Sequence, residues 1–233
     1  MFAKVASPFI LPALILCAAP AAESTLPNET LHYSVNWPTG VSLGEATLSA
    51  SSSQQGNGSG SMHFHFDLDA GVPGFAVSDQ FRSSASGNFC SQEFQKTISQ
   101  GSRKADDKET FDPSTGAVTR GSGSGQTEIS SDSCAKDALA FLYFVRNELS
   151  AGRMPPSQTV FFGAPYEVRL ASAGTESLKI GNKTVPADHL KASVSGPSSN
   201  IDFDLYFLQD RARTLAEVRV PLALATFSLE LAQ

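Results

Sequence analysis

The chain has 233 residues, of which 41% are hydrophobic, 17% are charged and 9% are aromatic. This composition is too apolar for a disordered tail and too polar for a protein with several membrane spans. The formal net charge of −6, with no cluster of Lys and Arg, argues against binding to nucleic acid or to an anionic membrane surface.

The first 22 residues have the pattern of a secretory signal peptide. Lys4 is followed by an apolar stretch over residues 9–16 and by an A-x-A cleavage motif at residues 19–21. The apolar stretch is too short to span a bilayer comfortably. We therefore expect export to the periplasm or cell envelope, with no transmembrane span once the signal is removed. Cys17 leaves open a lipidated N-terminus.

Two cysteines, Cys90 and Cys134, remain after removal of the signal. An exported protein folds where disulfides are stable, and two cysteines allow only one intramolecular pairing. A bridge between Cys90 and Cys134 would restrict the unfolded chain, which stabilises the folded protein by about 4 kcal/mol in the chain-entropy model. A catalytic thiol, the alternative, would need a partner histidine. The sequence therefore predicts a structural disulfide.

Most of the remaining chain has the pattern of β-strands in sequential antiparallel hairpins. Residues 62–69 alternate apolar and polar side chains, which places Met62, Phe64, Phe66 and Leu68 on one face. Turn residues separate this strand from its neighbours. The other predicted strands are residues 30–37, 41–50, 76–86, 159–171, 184–195, 200–209, 214–220 and 224–232.

Four segments are predicted to lie outside the regular strands. Residues 51–61 and 121–126 are rich in Gly and Ser, which is typical of mobile loops. Residues 106–112 and 209–213 are densely charged, and we interpret them as solvated turns and strand ends.

Residues 135–150 interrupt the strand pattern and predict an amphipathic helix of about four turns. Gly152 stands where a C-terminal cap is expected. Because Cys134 precedes this segment, the predicted disulfide would fix the start of the helix near Cys90. Apolar residues recur at helical spacing: Ala138, Leu142, Val145 and Leu149, widened by Leu139 and Phe141.

One polar motif could carry metal chemistry. Alternate residues of a strand project to the same side, so His63, His65, Asp67 and Asp69 could form a row, and neighbouring histidines can bind zinc. A catalytic zinc site needs a further ligand from elsewhere in the fold. We favour the alternative, in which this row is the solvated face of an amphipathic strand, and predict no metal site.

The common catalytic motifs are absent from the sequence. It contains no phosphate-binding loop, no H-E-x-x-H motif and no G-x-S-x-G nucleophile elbow, since its Gly/Ser runs have Gly at the central position. We therefore assign no catalytic or cofactor-binding residue and expect no cofactor. Enzyme activity stays open but disfavoured.

The aromatic residues are mainly apolar, with 16 Phe against one Trp and four Tyr, which is typical of a hydrophobic core. Alternatively, some of them line a groove between sheet and helix, a site that could hold a lipid-sized ligand. The candidate groove-lining residues are Phe64, Phe66, Phe141, Leu142, Val145 and Leu149.

Four segments together resemble an exported bacterial family, domain of unknown function 3108. They are the opening strand pair over residues 31–46, the stretch Thr110-Phe-Asp112 before a turn, the helix segment Asp137-Ala-Leu-Ala-Phe-Leu-Tyr-Phe-Val-Arg146 and the closing strands over residues 219–231. The resemblance covers residues 29–232. It implies an envelope protein built on an antiparallel sheet, similar in outline to lipoprotein carriers whose half-barrel shields an acyl chain under a helical lid.

Asp137 and Arg146 are the polar anchors of the helix segment in this resemblance. A functional role for them is open, but we favour a structural one, in which they cap the helix or tether it to the strands. The family has no established catalytic residues to transfer to this chain.

These observations predict a mainly β (β-rich α+β) fold, with residues 23–233 in a single domain after the signal peptide of residues 1–22. We expect a strongly curved antiparallel sheet or open barrel with one main α-helix on its concave side. The favoured function is non-catalytic binding of a lipid, another apolar or amphipathic ligand, or an extended peptide in the groove. The alternatives are an envelope protein-interaction module that uses an exposed sheet edge, and a metal-dependent hydrolase centred on His63 and His65.

Overall fold

The computed structural model describes residues 28–54, 60–122, 125–197, 199–221 and 225–232, and the predicted signal peptide lies outside these residues. The described residues form fifteen strands and one helix. Their bounds are β1 Glu29–Asn36, β2 Ser42–Gln54, β3 Gly60–Val72, β4 Phe75–Ser86, β5 Ser91–Gln100, β6 Arg103–Asp112, β7 Ala117–Ser122, β8 Gly125–Ser130, β9 Lys136–Asp137, α1 Ala138–Ser150, β10 Gln158–Phe161, β11 Pro165–Ile180, β12 Lys183–Ser195, β13 Asn200–Leu208, β14 Leu215–Pro221 and β15 Thr226–Leu231.

All fifteen strands belong to one curved, unclosed sheet, as predicted. Its order is β8-β7-β6-β5-β4-β3-β2-β1-β15-β14-β13-β12-β11-β10-β9, so nearly every strand lies beside its neighbour in the chain. The pairs are antiparallel except the short parallel contact between β9 and β10. The first and last strands meet in the middle of the sheet, where Tyr33 pairs with Leu231.

The period-two pattern determines which side chains enter the core. In β3, Met62 and Phe64 are buried, whereas His63 and His65 are exposed. The same alternation continues across β2 and β4, because directly paired residues share a face. The concave face is therefore mainly apolar, and α1 lies against it.

Helix α1 has a defined start and end. Asp137 is its N-cap, and the carboxylate accepts hydrogen bonds from the backbone amides of Leu139 and Ala140. At the other end, Gly152 has φ 71° and its amide donates to the Leu149 carbonyl. A left-handed residue at this position favours glycine, as predicted. The helix begins three residues later than expected, because β9 precedes it.

The helix separates two apolar clusters, so it is packed on most of its surface. Leu139, Ala140 and Tyr143 face strands β1–β7. Phe141, Val145 and Leu149 face β10–β14 on the other side. Burial on both sides fixes α1 within the curve of the sheet.

Three sequence-based expectations about loops were wrong in whole or in part. Of the predicted loop 51–61, residues 51–54 end β2 and residues 60–61 begin β3, while residues 55–59 lie outside the described ranges. Residues 91–130 form four strands, β5–β8, and the charged segment 106–112 lies within β6, where Asp107 and Glu109 are buried. Residues 121–126 likewise include the ends of β7 and β8, which pair as a hairpin. Polar side chains obscured the alternation, because in this region several of them face the core.

Candidate functional site

At the start of α1, the end of the sheet formed by β9 and β10 approaches strands β5 and β6. We call this region the seam, defined by residues 90–91, 134–137, 109 and 162–163. The Ser91 amide donates to the Ala135 carbonyl at 2.9 Å. The Gly163 amide donates to Glu109 Oε2 at 3.1 Å. These contacts link β9 and β10 to β5 and β6 without a continuous strand ladder.

A disulfide links the same two parts of the sheet, the segment before β5 and the segment before β9. It confirms the predicted bridge. Cys90 and Cys134 are bonded across a sequence separation of 44, with Cα atoms 4.6 Å apart. Cys90 lies immediately before β5, and Cys134 lies just before β9. The bridge therefore holds the start of the helix against β5.

Asp137 occupies the centre of the seam. Its carboxylate is inaccessible to solvent and accepts from Ser83 Oγ at 2.7 Å and from Ser91 Oγ at 2.5 Å, besides the two helix amides. Its own amide donates to Ser91 Oγ. Burial raises the pKa of Asp137, although the four hydrogen bonds act in the opposite direction. The predicted helix anchor is thus a wholly buried cap.

Glu109 is the second buried carboxyl of the seam. Its Oε2 accepts from Gly163, while Oε1 has no hydrogen-bond partner among the residues that the structure describes. Burial raises the pKa of Glu109 to about 7, against the opposing effects of the Gly163 amide and the nearby Lys96. Glu109 is therefore poised to change its protonation state near neutral pH.

Lys96 connects the seam to the concave face. Its ammonium lies 3.4 Å from an Asp107 carboxylate oxygen and donates to the Phe162 carbonyl at 3.1 Å. It also sits 4.6 Å from the centre of the Phe162 ring. Gly163, with φ 75°, allows this close approach, because a Cβ at that position would collide with the Lys96 ammonium.

Arg146, the other predicted anchor, is 1% exposed and forms a bidentate ion pair with Glu29 of β1. Its Nε donates to the carbonyls of Ala212 and Arg213 at 3.1 Å each. The guanidinium also stacks over Tyr143, 4.8 Å from the ring centre. Arg146 thereby ties the helix to β1 and to the loop between β13 and β14.

The structure places the candidate groove-lining residues in two environments. Phe64 is fully buried and stacks on Tyr143 with ring centres 4.3 Å apart. Three helix residues are also buried: Phe141, Val145 and Leu149. The remaining two candidates, Phe66 and Leu142, are half-buried.

Phe66 belongs to a contiguous apolar surface that we call the concave patch, defined by Phe66, Leu68, Phe81 and Phe162. All four side chains are half-buried. The Phe66 and Phe81 rings are 5.6 Å apart, and Phe81 meets Phe162 edge to face at 5.0 Å. No sequence pattern pointed to Phe162, which reaches this patch only through the tertiary fold.

The outer face of the second half of the sheet carries a polar network that the sequence did not reveal. The His189 ring lies between two carboxylates, 3.0 Å from Glu176 and 2.7 Å from Asp204. It stacks on Tyr206, whose hydroxyl accepts from Arg219 at 2.7 Å. Burial raises the pKa of Tyr206 to about 12, despite the neighbouring Arg219.

A cavity of about 320 Å³ opens beside this network, under the β11–β12 hairpin. Ser34, Glu217 and Glu230 are among its lining residues. By strand alternation these polar side chains project away from α1. The cavity is therefore distinct from the concave patch.

The predicted histidine row lies on the exposed face of β3. Asp67 forms an ion pair with Arg82 at 2.6 Å. The pKa of His65 is lowered, mainly by burial and to a smaller extent by the positive charge of Arg82. Within the described ranges, no group of three or more His, Cys, Asp and Glu residues is arranged to hold a metal ion.

The model of the DUF3108 family, described as a protein of unknown function, matches residues 31–231. The chain belongs to the DUF3108 family. No curated protein matches it. None of the described helical residues forms a segment long and apolar enough to cross a membrane.

A solved structure from Brucella abortus has a similar fold. It is described as a beta-barrel-like protein of domain of unknown function DUF1849. The TM-score is 0.59 at 9% sequence identity, and the match covers 89% of this chain and 97% of that one. At this identity the likeness supports the barrel-like fold alone.

Proposed function

We propose that this DUF3108 protein is a non-catalytic protein of the cell envelope that binds the apolar chain of a lipid or similar amphipathic ligand on its concave patch. The observation that carries this proposal is the contiguous array of half-buried rings formed by Phe66, Phe81 and Phe162. Partly exposed apolar surface in a concave site is typical of ligand-binding clefts.

The charges at the edge of the patch suit an amphipathic rather than a purely apolar ligand. Lys96 lies over Phe162, and its ammonium is shared between Asp107 and a backbone carbonyl. Lys96 is buried beside Asp107, so an anionic headgroup would gain a charge-assisted hydrogen bond from it only by entering next to Phe162. The acyl chain could then lie along Phe81 and Phe66.

Export is part of the proposal. The signal-like segment at residues 1–22 and the pairing of Cys90 with Cys134 both fit a protein that matures in an oxidising compartment. Cell fractionation of the tagged full-length chain tests this point, and recovery in the cytoplasm with free thiols would exclude it.

The binding proposal is tested by titrating the purified protein with a fluorescent fatty-acid analogue. Phe162→Ser and Phe81→Ser should weaken binding at least about tenfold, since each removes apolar contact worth more than about 1.4 kcal/mol. Phe75→Ser is the matched control, because Phe75 is 49% exposed at the β3–β4 turn. Native mass spectrometry after mild purification should reveal a bound lipid.

Thermal unfolding of each variant separates lost binding from lost folding. Saturable binding that is equally strong in the Phe75→Ser and Phe162→Ser proteins would place the site elsewhere. A protein that binds no analogue, and carries no lipid when isolated, would end the proposal.

A protein-interaction role is the second candidate, and the free edge of β8 supports it. This strand ends the sheet order, and five of its six residues are exposed. An edge strand can recruit an extended peptide through backbone hydrogen bonds. Glu128→Pro, at a position whose amide faces away from β7, should abolish cross-linking to an envelope partner in this case, whereas Phe162→Ser should leave it intact.

A further inference from the structure

The disulfide has two chemically different ends. Both cysteines are half-buried, so neither is fully enclosed by the fold. Lys136 is buried, and its ammonium lies 3.6 Å from Cys134 Sγ and donates to the Cys134 carbonyl at 3.2 Å. On the other side, Cys90 Sγ lies 3.8 Å from the carbonyl oxygen of the exposed Asn88. The charge environment therefore favours a thiolate at Cys134 over one at Cys90.

The position of Lys136 is fixed by further contacts. Its ammonium lies 4.6 Å from the centre of the Phe144 ring on helix α1. Phe144 in turn packs against Phe89, the residue immediately before Cys90. The ammonium is therefore held beside one sulfur of the bridge, where burial lowers the pKa of Lys136 and the Asp132 carboxylate acts in the opposite direction.

In thiol–disulfide exchange the incoming thiolate attacks one sulfur and the other leaves with the bonding electron pair. The better leaving group is the sulfur whose thiolate is more strongly stabilised. Neighbouring lysines stabilise thiolates markedly. The geometry thus directs attack to Cys90 and release of Cys134.

We infer that the Cys90–Cys134 bridge is a directional exchange site for the dithiol of a thiol–disulfide oxidoreductase. The partner's thiolate forms a bond to Cys90 Sγ as the Cys90–Cys134 bond breaks, and Cys134 leaves as a thiolate beside Lys136. The partner's second thiolate then attacks its own sulfur in the mixed disulfide and releases Cys90, which takes up a proton. Two electrons pass from the partner, which becomes oxidised, to this protein.

Opening the bridge changes the seam as well as the sulfur chemistry. The Ser91–Ala135 hydrogen bond and the contacts of Asp137 would remain as the links at the start of α1. The redox state of the bridge would therefore set how firmly this edge of the sheet is held. This inference is independent of any ligand on the concave patch.

Reduced glutathione is a suitable probe. The oxidised full chain is incubated with it briefly at neutral pH, quenched with acid, capped with N-ethylmaleimide and digested with trypsin. Cys90 and Cys134 fall in separate peptides, residues 83–96 and 121–136. We expect glutathione on Cys90 and maleimide on Cys134 in about three- to tenfold excess over the reverse pattern.

Lys136→Gln should bring the ratio of the two adducts close to one, while Lys183→Gln, an exposed change at the first residue of β12, should leave it unchanged. Near-ultraviolet circular dichroism shows whether each variant is folded. If Lys136→Gln does not fold, the ratio of the two adducts in the wild-type protein decides the question by itself. Equal adducts in the wild type, or an excess on Cys134, would overturn the inference. So would a bridge that reacts only after unfolding in urea.

Discussion

Helix α1 is attached to the sheet at two places that accommodate buried charge in opposite ways. At its start, the Asp137 and Glu109 carboxyls lie in the seam, where burial raises the pKa of each. In its third turn, Arg146 keeps its charge, because Glu29 and two carbonyls surround it. The first region should respond to pH, whereas the second should respond mainly to loss of a partner.

The largest expected effect is at the ion pair. Arg146→Met leaves the Glu29 carboxylate, 13% exposed, without its cation, which should lower the free energy of unfolding by about 3–5 kcal/mol. Urea denaturation measures the loss. Arg153→Ala is the control, since that arginine pairs with Glu148 at an exposed site and its removal should change little. Similar losses in both variants would contradict the assignment of Arg146 as a buried anchor.

Asp137→Ala should be the next most damaging change. It removes the helix cap, worth about 1 kcal/mol, and leaves the hydroxyl protons of Ser83 and Ser91 without their acceptor, for a total of about 3 kcal/mol. Asp137→Asn keeps an oxygen for the helix amides and should lose less. If urea denaturation gives the two variants the same free energy of unfolding, the oxygen that Asp137→Asn retains does not stabilise the fold.

Glu109 should make stability depend on pH. The ordinary pKa of a glutamate is 4.5, whereas the pKa of Glu109 in the folded protein is about 7. Between these two pH values the folded protein therefore holds the proton more tightly than the unfolded chain does. The free energy of unfolding should therefore fall by about 3 kcal/mol from pH 4.5 to above pH 7 through this group.

Glu109→Gln should remove that part of the slope, as measured by urea denaturation at several pH values. Glu93→Gln, an exposed change on the neighbouring strand, should keep the wild-type slope. Parallel profiles for the wild type and Glu109→Gln would show that this carboxyl does not titrate differently on folding.

The smallest predicted effect compares two glycines. Gly163 and Gly152 have φ of 75° and 71°, so alanine at either position costs about 1 kcal/mol in backbone strain. Only at Gly163 would the new methyl also displace the Lys96 ammonium. Gly163→Ala should therefore lose about 1 kcal/mol more than Gly152→Ala in thermal or urea unfolding. Equal losses would mean that Lys96 shifts without cost.

Much of the fold follows from local sequence patterns. The alternation in residues 62–69, the helical spacing before Gly152 and the pairing of two cysteines each have a direct physical meaning. Strands β5–β8 were missed, because Lys96, Asp107 and Glu109 occupy inward positions where apolar residues are expected. The period-two spacing of Asp107, Glu109 and Phe111 indicates a strand. It was not recognised, because two of these three inward residues are charged.

The seam could not be predicted from sequence, because its members come from distant segments. Ser83, Ser91 and Asp137 meet only when the far edge of the sheet turns back onto its first half. Phe162 joins the concave patch for the same reason. The residues with the strongest functional interest are therefore those that only the tertiary structure brings together.

The pairing of β1 with β15 has a consequence for how the molecule assembles. Within each half of the sheet, strands that are neighbours in the chain pair with each other, but Tyr33 and Leu231 come together only across nearly the whole chain. Such a distant contact is slow to form, because a very long loop must close first. We expect the two halves of the sheet to become compact early in folding. Pairing of β1 with β15 should then be a late, rate-limiting step.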